Sequence, residues 1–190
     1  MSFRYELRLS GDVGHGLILI GKVLAEAAAI YDELNAVQTQ SYGEESRGEA
    51  NRSEVIISDQ DITFPKVERP DLLLCLSQVA YNRYFDQLKS DGILVLDSSR
   101  VLDYSEEQDH FYSFPIFQTA LDQFGNESLA SVIALGIVSD LLDVVSPRAV
   151  HLAMRARIPK GTEEVNEQAL RLGYQMAKDK HPKPATETGA

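Results

Sequence analysis

Only one cysteine, Cys75, occurs among the 190 residues. A single thiol cannot close an internal disulfide, so nothing here calls for an oxidising compartment. Nor can it hold an iron–sulfur cluster, which takes about four thiolates. Cys75 sits in the apolar run Asp71-Leu-Leu-Leu-Cys-Leu76, where a buried structural thiol is expected rather than a reactive one. Cations are the second scarcity: 18 Lys and Arg stand against 29 Asp and Glu, a net charge of −11. A surface so acidic repels phosphate backbones, which argues against a nucleic-acid partner. No run approaches the ~18 consecutive apolar residues of a membrane span. The charged, alternating opening Met1-Ser-Phe-Arg-Tyr-Glu-Leu-Arg8 reads as neither a signal peptide nor an anchor, so no membrane partner and a cytoplasmic location are expected. Self-sufficient catalytic patterns are missing too. There is no G-x-S-x-G elbow and no P-loop lysine. His110, His151 and His181 lack ligand spacing, so neither catalytic nor metal-binding residues are assigned.

What is present is an ordinary globular composition, 44% hydrophobic and 25% charged, on a chain long enough for one domain with its own core. That domain is expected over residues 1–177. Residues 178–190 lack a hydrophobic face and are expected to form a flexible tail. Phe3, Tyr5, Leu7 and Leu9 alternate with polar residues and predict a strand. A glycine-rich turn, Gly11 to Gly16, follows, and apolar periodicity then predicts a helix over about 14–34, with Tyr31 and Leu34 on its buried face. Strands are expected over 35–40, 52–58, 71–76, 92–97 and 111–115. Helices are expected over 79–89, 116–124, 128–144, 147–156 and 162–177, with Asn126 or Ser128, Pro147 and Thr162 at helix starts. Alternating strands and helices give an α/β fold: a three-layer Rossmann-like sandwich with a mainly parallel sheet and a helical C-terminal third.

Two segments carry candidate ligand chemistry. In the Gly11–Gly16 turn, Gly14 and Gly16 allow close approach of backbone N–H groups to an anion, a helix N-terminus follows, and His15 can donate. Val13 and Asp12 depart from the dinucleotide fingerprint, and no acidic ribose ligand ends the second strand. A structural turn without ligand is the competing reading. The second segment is the polar stretch Gln40 to Glu54. Arg47 and Arg52 each offer a guanidinium fork to a phosphate or carboxylate, although four glutamates nearby could simply pair with them. Asp97 and Asp103, near a strand end, are read as turn or cap residues.

Three stretches together resemble one family. Gly11-x-x-Gly-His-Gly-Leu-Ile-Leu-Ile-Gly-Lys-Val-Leu-Ala-Glu-Ala-Ala28 is similar to an opening G-x-G-G-Q-G turn and helix. Ser41-Tyr-Gly-Glu-Glu-Ser-Arg-Gly-Glu-Ala50 resembles an S-Y-G-P-E-x-R-G-G loop. Pro70-Asp-Leu-Leu-Leu-Cys-Leu-Ser77, Ala134-Leu-Gly136 and the closing Val165 to Tyr174 follow in the family's order. The family is the γ subunit, or γ domain, of the pyruvate/2-oxoacid:ferredoxin oxidoreductases. The chain departs from its pattern at Val13, His15, Glu44 and Glu49. The resemblance implies a cluster-free subunit, inactive alone, of a complex that oxidatively decarboxylates a 2-oxoacid to an acyl-CoA. It implies thiamine diphosphate, Mg²⁺ and [4Fe-4S] clusters on α, β and ferredoxin-like δ companions, with coenzyme A as substrate. Electrons would pass to a ferredoxin acceptor protein or, through FAD on a further subunit, to NAD. The oxoacid stays open among pyruvate, 2-oxoglutarate and aromatic acids such as phenylglyoxylate or indolepyruvate. Arg47, then Arg52, Tyr42 and His15, with Gly14 and Gly16, are the residues expected to meet coenzyme A or a carboxylate. A purely structural assembly subunit and a stand-alone nucleotide-binding oxidoreductase domain are the alternatives.

Overall fold

A computed structural model describes residues 2–41, 50–105 and 109–180. Strand β1 (Arg4–Gly11) lies in the middle of a six-stranded sheet with order β2-β3-β1-β4-β5-β6. The others are β2 (Asn35–Ser41), β3 (Asn51–Ser58), β4 (Leu72–Cys75), β5 (Ile93–Asp97) and β6 (His110–Phe114). Only β3 runs against the rest; it pairs antiparallel with both β1 and β2, while β1, β4, β5 and β6 pair in parallel. The expected mainly parallel sheet is therefore present. Its C-terminal edge gathers the ends of β1, β2, β4, β5 and β6 with the start of β3, which is where open α/β sheets place ligands.

Strand alternation divides the core. Leu7, Leu9, Val55, Ile57, Leu72, Leu74 and Val95 face one large helical layer. Leu73, Cys75, Leu94 and Leu96 face the other side, covered by α2 (Gln78–Tyr84) and a 3₁₀ turn at Phe85–Gln87. The second layer is thus a single helix. Ser77 caps α2 by accepting from Ala80 N at 3.3 Å. Because β1 is central, one of its charged positions is interior. Arg8 is buried, with Nε donating to Glu54 at 2.7 Å and Nη2 to the Val67 carbonyl at 2.8 Å.

The first helix is shorter than its periodicity predicts. Gly14 and Gly16 adopt φ of 87° and 71°, left-handed values that delay helix α1 (Leu17–Glu26) past the expected residue 14. At Ala27–Tyr31 the helix widens into a π turn, which rotates the face: Ala27 and Ala28 stay buried, but Ile30 and Tyr31 are exposed. Tyr31 is therefore not a core residue.

Helices α3 (Ile116–Phe124), α4 (Ala130–Leu142), α5 (Pro147–Arg155) and α6 (Glu163–Lys180) build the large layer with α1. Asn126, not Ser128, is the capping side chain, accepting from Ser128 N at 3.0 Å at a 3₁₀ turn (Glu127–Leu129) that leads into α4. Ser146 caps α5, with Pro147 in its first turn. Thr162 donates its hydroxyl to the Pro159 carbonyl. All thirteen residues of α4 are buried between the sheet-facing helices and α6. Helix α6 runs three residues past the expected end at 177, because Lys180 lies over the Phe114 ring and donates to the Ser113 carbonyl of β6. The rest of the expected tail, with His181, lies outside the described residues.

Candidate functional site

The turn after β1 is built by contacts that tolerate no side chain at two glycines. A Cβ on Gly11 would meet His15 Nδ1 at 2.7 Å and Leu76 Cβ at 3.0 Å. A Cβ on Gly16 would meet the Ser131 side chain at 2.4 Å, at the start of α4. Nothing crowds Gly14, where only the positive φ of 87° favours glycine. These constraints close a loop that presents the first turn of α1 to a cavity of about 270 Å³. Asp12 to Ile18 form one wall and Ser41, Asn51 and Arg52 the other. Four of the residues singled out in the sequence, Gly14, His15, Gly16 and Arg52, therefore line a single cavity. Tyr42 and Arg47 lie outside the described residues, in the connection between Ser41 and Asn51.

Arg52 is half-exposed, stands 3.9 Å from Glu54 and lies 5.9 Å above the Tyr84 ring centroid. Glu54 is also the partner of buried Arg8, so one carboxylate serves both cations on the α2 side of the sheet, while the neighbouring Ser53 faces Gly21 of α1. Val13 is 58% exposed at the cavity wall, where a pyrophosphate-binding turn needs glycine. The dinucleotide reading gains nothing from this geometry.

His15 is only 8% exposed. Its Nδ1 accepts the Asp12 backbone N–H at 3.1 Å, which leaves the neutral ring's proton on Nε2. The ring packs on Phe117 with centroids 4.7 Å apart. Burial pushes the imidazole below its ordinary pKa of 6.5; Asp12 pulls it up and Arg100 pushes it further down. Arg100, which the sequence reading did not single out, lies 3.8 Å above the same Phe117 ring and brings Nη1 within 3.4 Å of His15 Nε2. Its Nη2 donates to Glu127 at 3.0 Å. Asp97 is a cap, as expected: one oxygen accepts from Ser99 N and Oγ, the other from Phe117 N at 3.0 Å.

Other chemistry is not assembled. Cys75 is fully buried and burial drives its thiol far above the ordinary range. Among the described residues, no group of three or more His, Cys, Asp or Glu could hold a metal ion. Among them, too, no helix is long and apolar enough to cross a membrane.

The profile of the pyruvate ferredoxin/flavodoxin oxidoreductase family matches residues 6–176. A curated relative, 2-oxoglutarate synthase subunit KorC of Methanocaldococcus jannaschii, is 44% identical, over 94% of this chain and 97% of its own. The crystal structure of a keto/oxoacid ferredoxin oxidoreductase γ subunit from Geobacter sulfurreducens superposes with a TM-score of 0.83 at 42% identity, covering 92% of this chain and 99% of that one. The fold also recurs, at 20% identity and a TM-score of 0.81, within 2-oxoglutarate:ferredoxin oxidoreductase from Magnetococcus marinus. There it matches 93% of this chain but 31% of the longer one.

Proposed function

The chain belongs to the pyruvate ferredoxin/flavodoxin oxidoreductase family, and on that footing we propose that it is the γ-type subunit of a complex that converts 2-oxoglutarate and coenzyme A to succinyl-CoA. The near end-to-end match to a 2-oxoglutarate synthase subunit carries this reading and selects 2-oxoglutarate from the oxoacids left open by sequence. In the reaction the oxoacid loses its carboxylate as CO₂, its acyl carbon bonds to the thiol sulfur of coenzyme A, and ferredoxin takes the electrons.

The division of labour follows from what this chain holds. Its single cysteine, buried and protonated, does not fit an iron–sulfur cluster, so the clusters belong to companion chains. Thiamine diphosphate with Mg²⁺ would likewise sit on the companions, supplying carbanion stabilisation. This chain contributes a wall: the first turn of α1, at a cavity that Arg52 also lines, suits an anionic part of coenzyme A, and the Arg52 guanidinium, which lies toward Tyr84 on the other side of the sheet, is proposed to reach the same ligand. Arg47 and Tyr42, in the stretch of sequence between Ser41 and Asn51, are proposed to add to it.

In the purified complex, Arg52→Ala is expected to raise the KM for coenzyme A about tenfold, the value of one charge-assisted hydrogen bond, and to leave the KM for 2-oxoglutarate unchanged. An assembly-only subunit is the second reading, favoured by the observation that packing alone explains Gly11 and Gly16. It predicts that Arg52→Ala and Arg47→Ala alter subunit yield and neither KM.

A further inference from the structure

We infer that His15 and Arg100 form an oxyanion site, in which His15 Nε2–H and the Arg100 guanidinium grip one phosphate or carboxylate oxygen beside the cavity at the start of α1. The observation is a pair of facing donors. A neutral imidazole accepts one hydrogen bond, and His15 spends it on the Asp12 N–H at 3.1 Å. The shorter backbone bond, at 3.1 Å, outranks the 3.4 Å approach of Arg100, so Nε2 is assigned the proton and points it at another donor. Two donors at that distance have no bond with each other and call for a shared acceptor.

Among the described residues the carboxylates that act on His15 are Asp12, Asp97 and Glu127, and none of them is hydrogen-bonded to its Nε2. Asp97 is the buried carboxylate nearest in sequence to Arg100, and its two oxygens are occupied by Ser99 and Phe117 N. Glu127 takes the other arm of Arg100. Asp12 faces His15 through its backbone N–H. Phe117 serves as a floor under both donors, holding the guanidinium flat at 3.8 Å and the imidazole at 4.7 Å. The His15 side of the pair opens on the cavity, and Arg100 keeps a third of its side chain exposed, so a ligand oxygen can arrive. The depressed basicity of His15 agrees, since it keeps the ring a neutral donor at pH 7. The pair opens on the cavity that Arg52 also lines but does not include Arg52. It needs only this chain, so it can fail while the subunit assignment stands, or hold if that assignment fails.

The test is a titration of the full chain, ¹⁵N-labelled at histidine, with pyrophosphate in one arm and succinate in the other. The ligand-free spectrum should show the Nε2–H tautomer for His15. Binding of either anion should shift that resonance, and the arm that binds tells phosphate from carboxylate. Arg100→Ala should weaken binding about tenfold or more, as expected for a charge-assisted bond. Glu127→Gln should tighten it severalfold by removing the competing carboxylate. His15→Gln, which keeps a donor, should retain binding that His15→Leu loses. Either of two results overturns the inference: no His15 shift with both anions up to about 10 mM, or shifts of equal affinity in the wild type and Arg100→Ala.

Discussion

At the scale of single residues, His15 shows how a fold assigns chemistry that spacing cannot. Its pKa lies below the ordinary 6.5 mainly because burial penalises the charged ring. The sign of the stability effect follows. Between the folded pKa and 6.5 the unfolded chain binds a proton that the native chain does not, so native stability falls as the pH drops through that window and is complete above it. Urea denaturation of His15→Gln should accordingly lose less stability than the wild type between pH 7 and pH 5. That His15 sits at a ligand-sized turn was legible from the glycines around it. Its partner was not. Arg100 follows a strand within Asp-Ser-Ser-Arg, an unremarkable turn sequence, and meets His15 across 85 residues of chain. Cys75 was legible in full, because a lone thiol in a run of leucines has no means of staying ionised.

At the scale of elements, local pattern placed most strands and helices within a few residues but misjudged what surrounds them. The alternation of β1 was correct, yet Arg8 is interior, held by Glu54 and a carbonyl, because pairing on both sides makes β1 central. Periodicity also could not reveal the π turn at Ala27–Tyr31, whose extra residue per turn swings Ile30 and Tyr31 outward. The crossing of α4 and α6 depends on two glycines read only as family resemblance. A Cβ on Gly173 would come within 2.1 Å of the Ile133 carbonyl oxygen, and one on Gly136 within 2.4 Å of the Leu170 carbonyl oxygen. Backbone on both sides leaves no side chain to yield. Gly173→Ala should destabilise the chain by about 1–3 kcal/mol, the cost of overpacking, despite the higher helix propensity of alanine, as read from the urea midpoint.

At the scale of the whole molecule, the sheet is covered unequally. Among the described residues five helices load one face, one helix and an irregular segment cover the other, and Gly14, His15, Gly16 and Arg52 collect at the C-terminal edge of the parallel strands. The same fold recurs as roughly a third of a longer oxidoreductase chain and as a nearly complete γ subunit. Fold class followed from strand–helix order. The oxoacid did not, because no motif in the sequence distinguishes among the acids left open. The most direct measurement is therefore made on the assembly. The protein is purified anaerobically through a tag on this chain, and 2-oxoacid-dependent reduction of ferredoxin is assayed with and without coenzyme A. The predicted result is a brown complex containing larger cysteine-rich chains and thiamine diphosphate, active with 2-oxoglutarate only when coenzyme A is present. A colourless, stable, monomeric chain with no companions, or a complex that turns over pyruvate but not 2-oxoglutarate, would contradict the account.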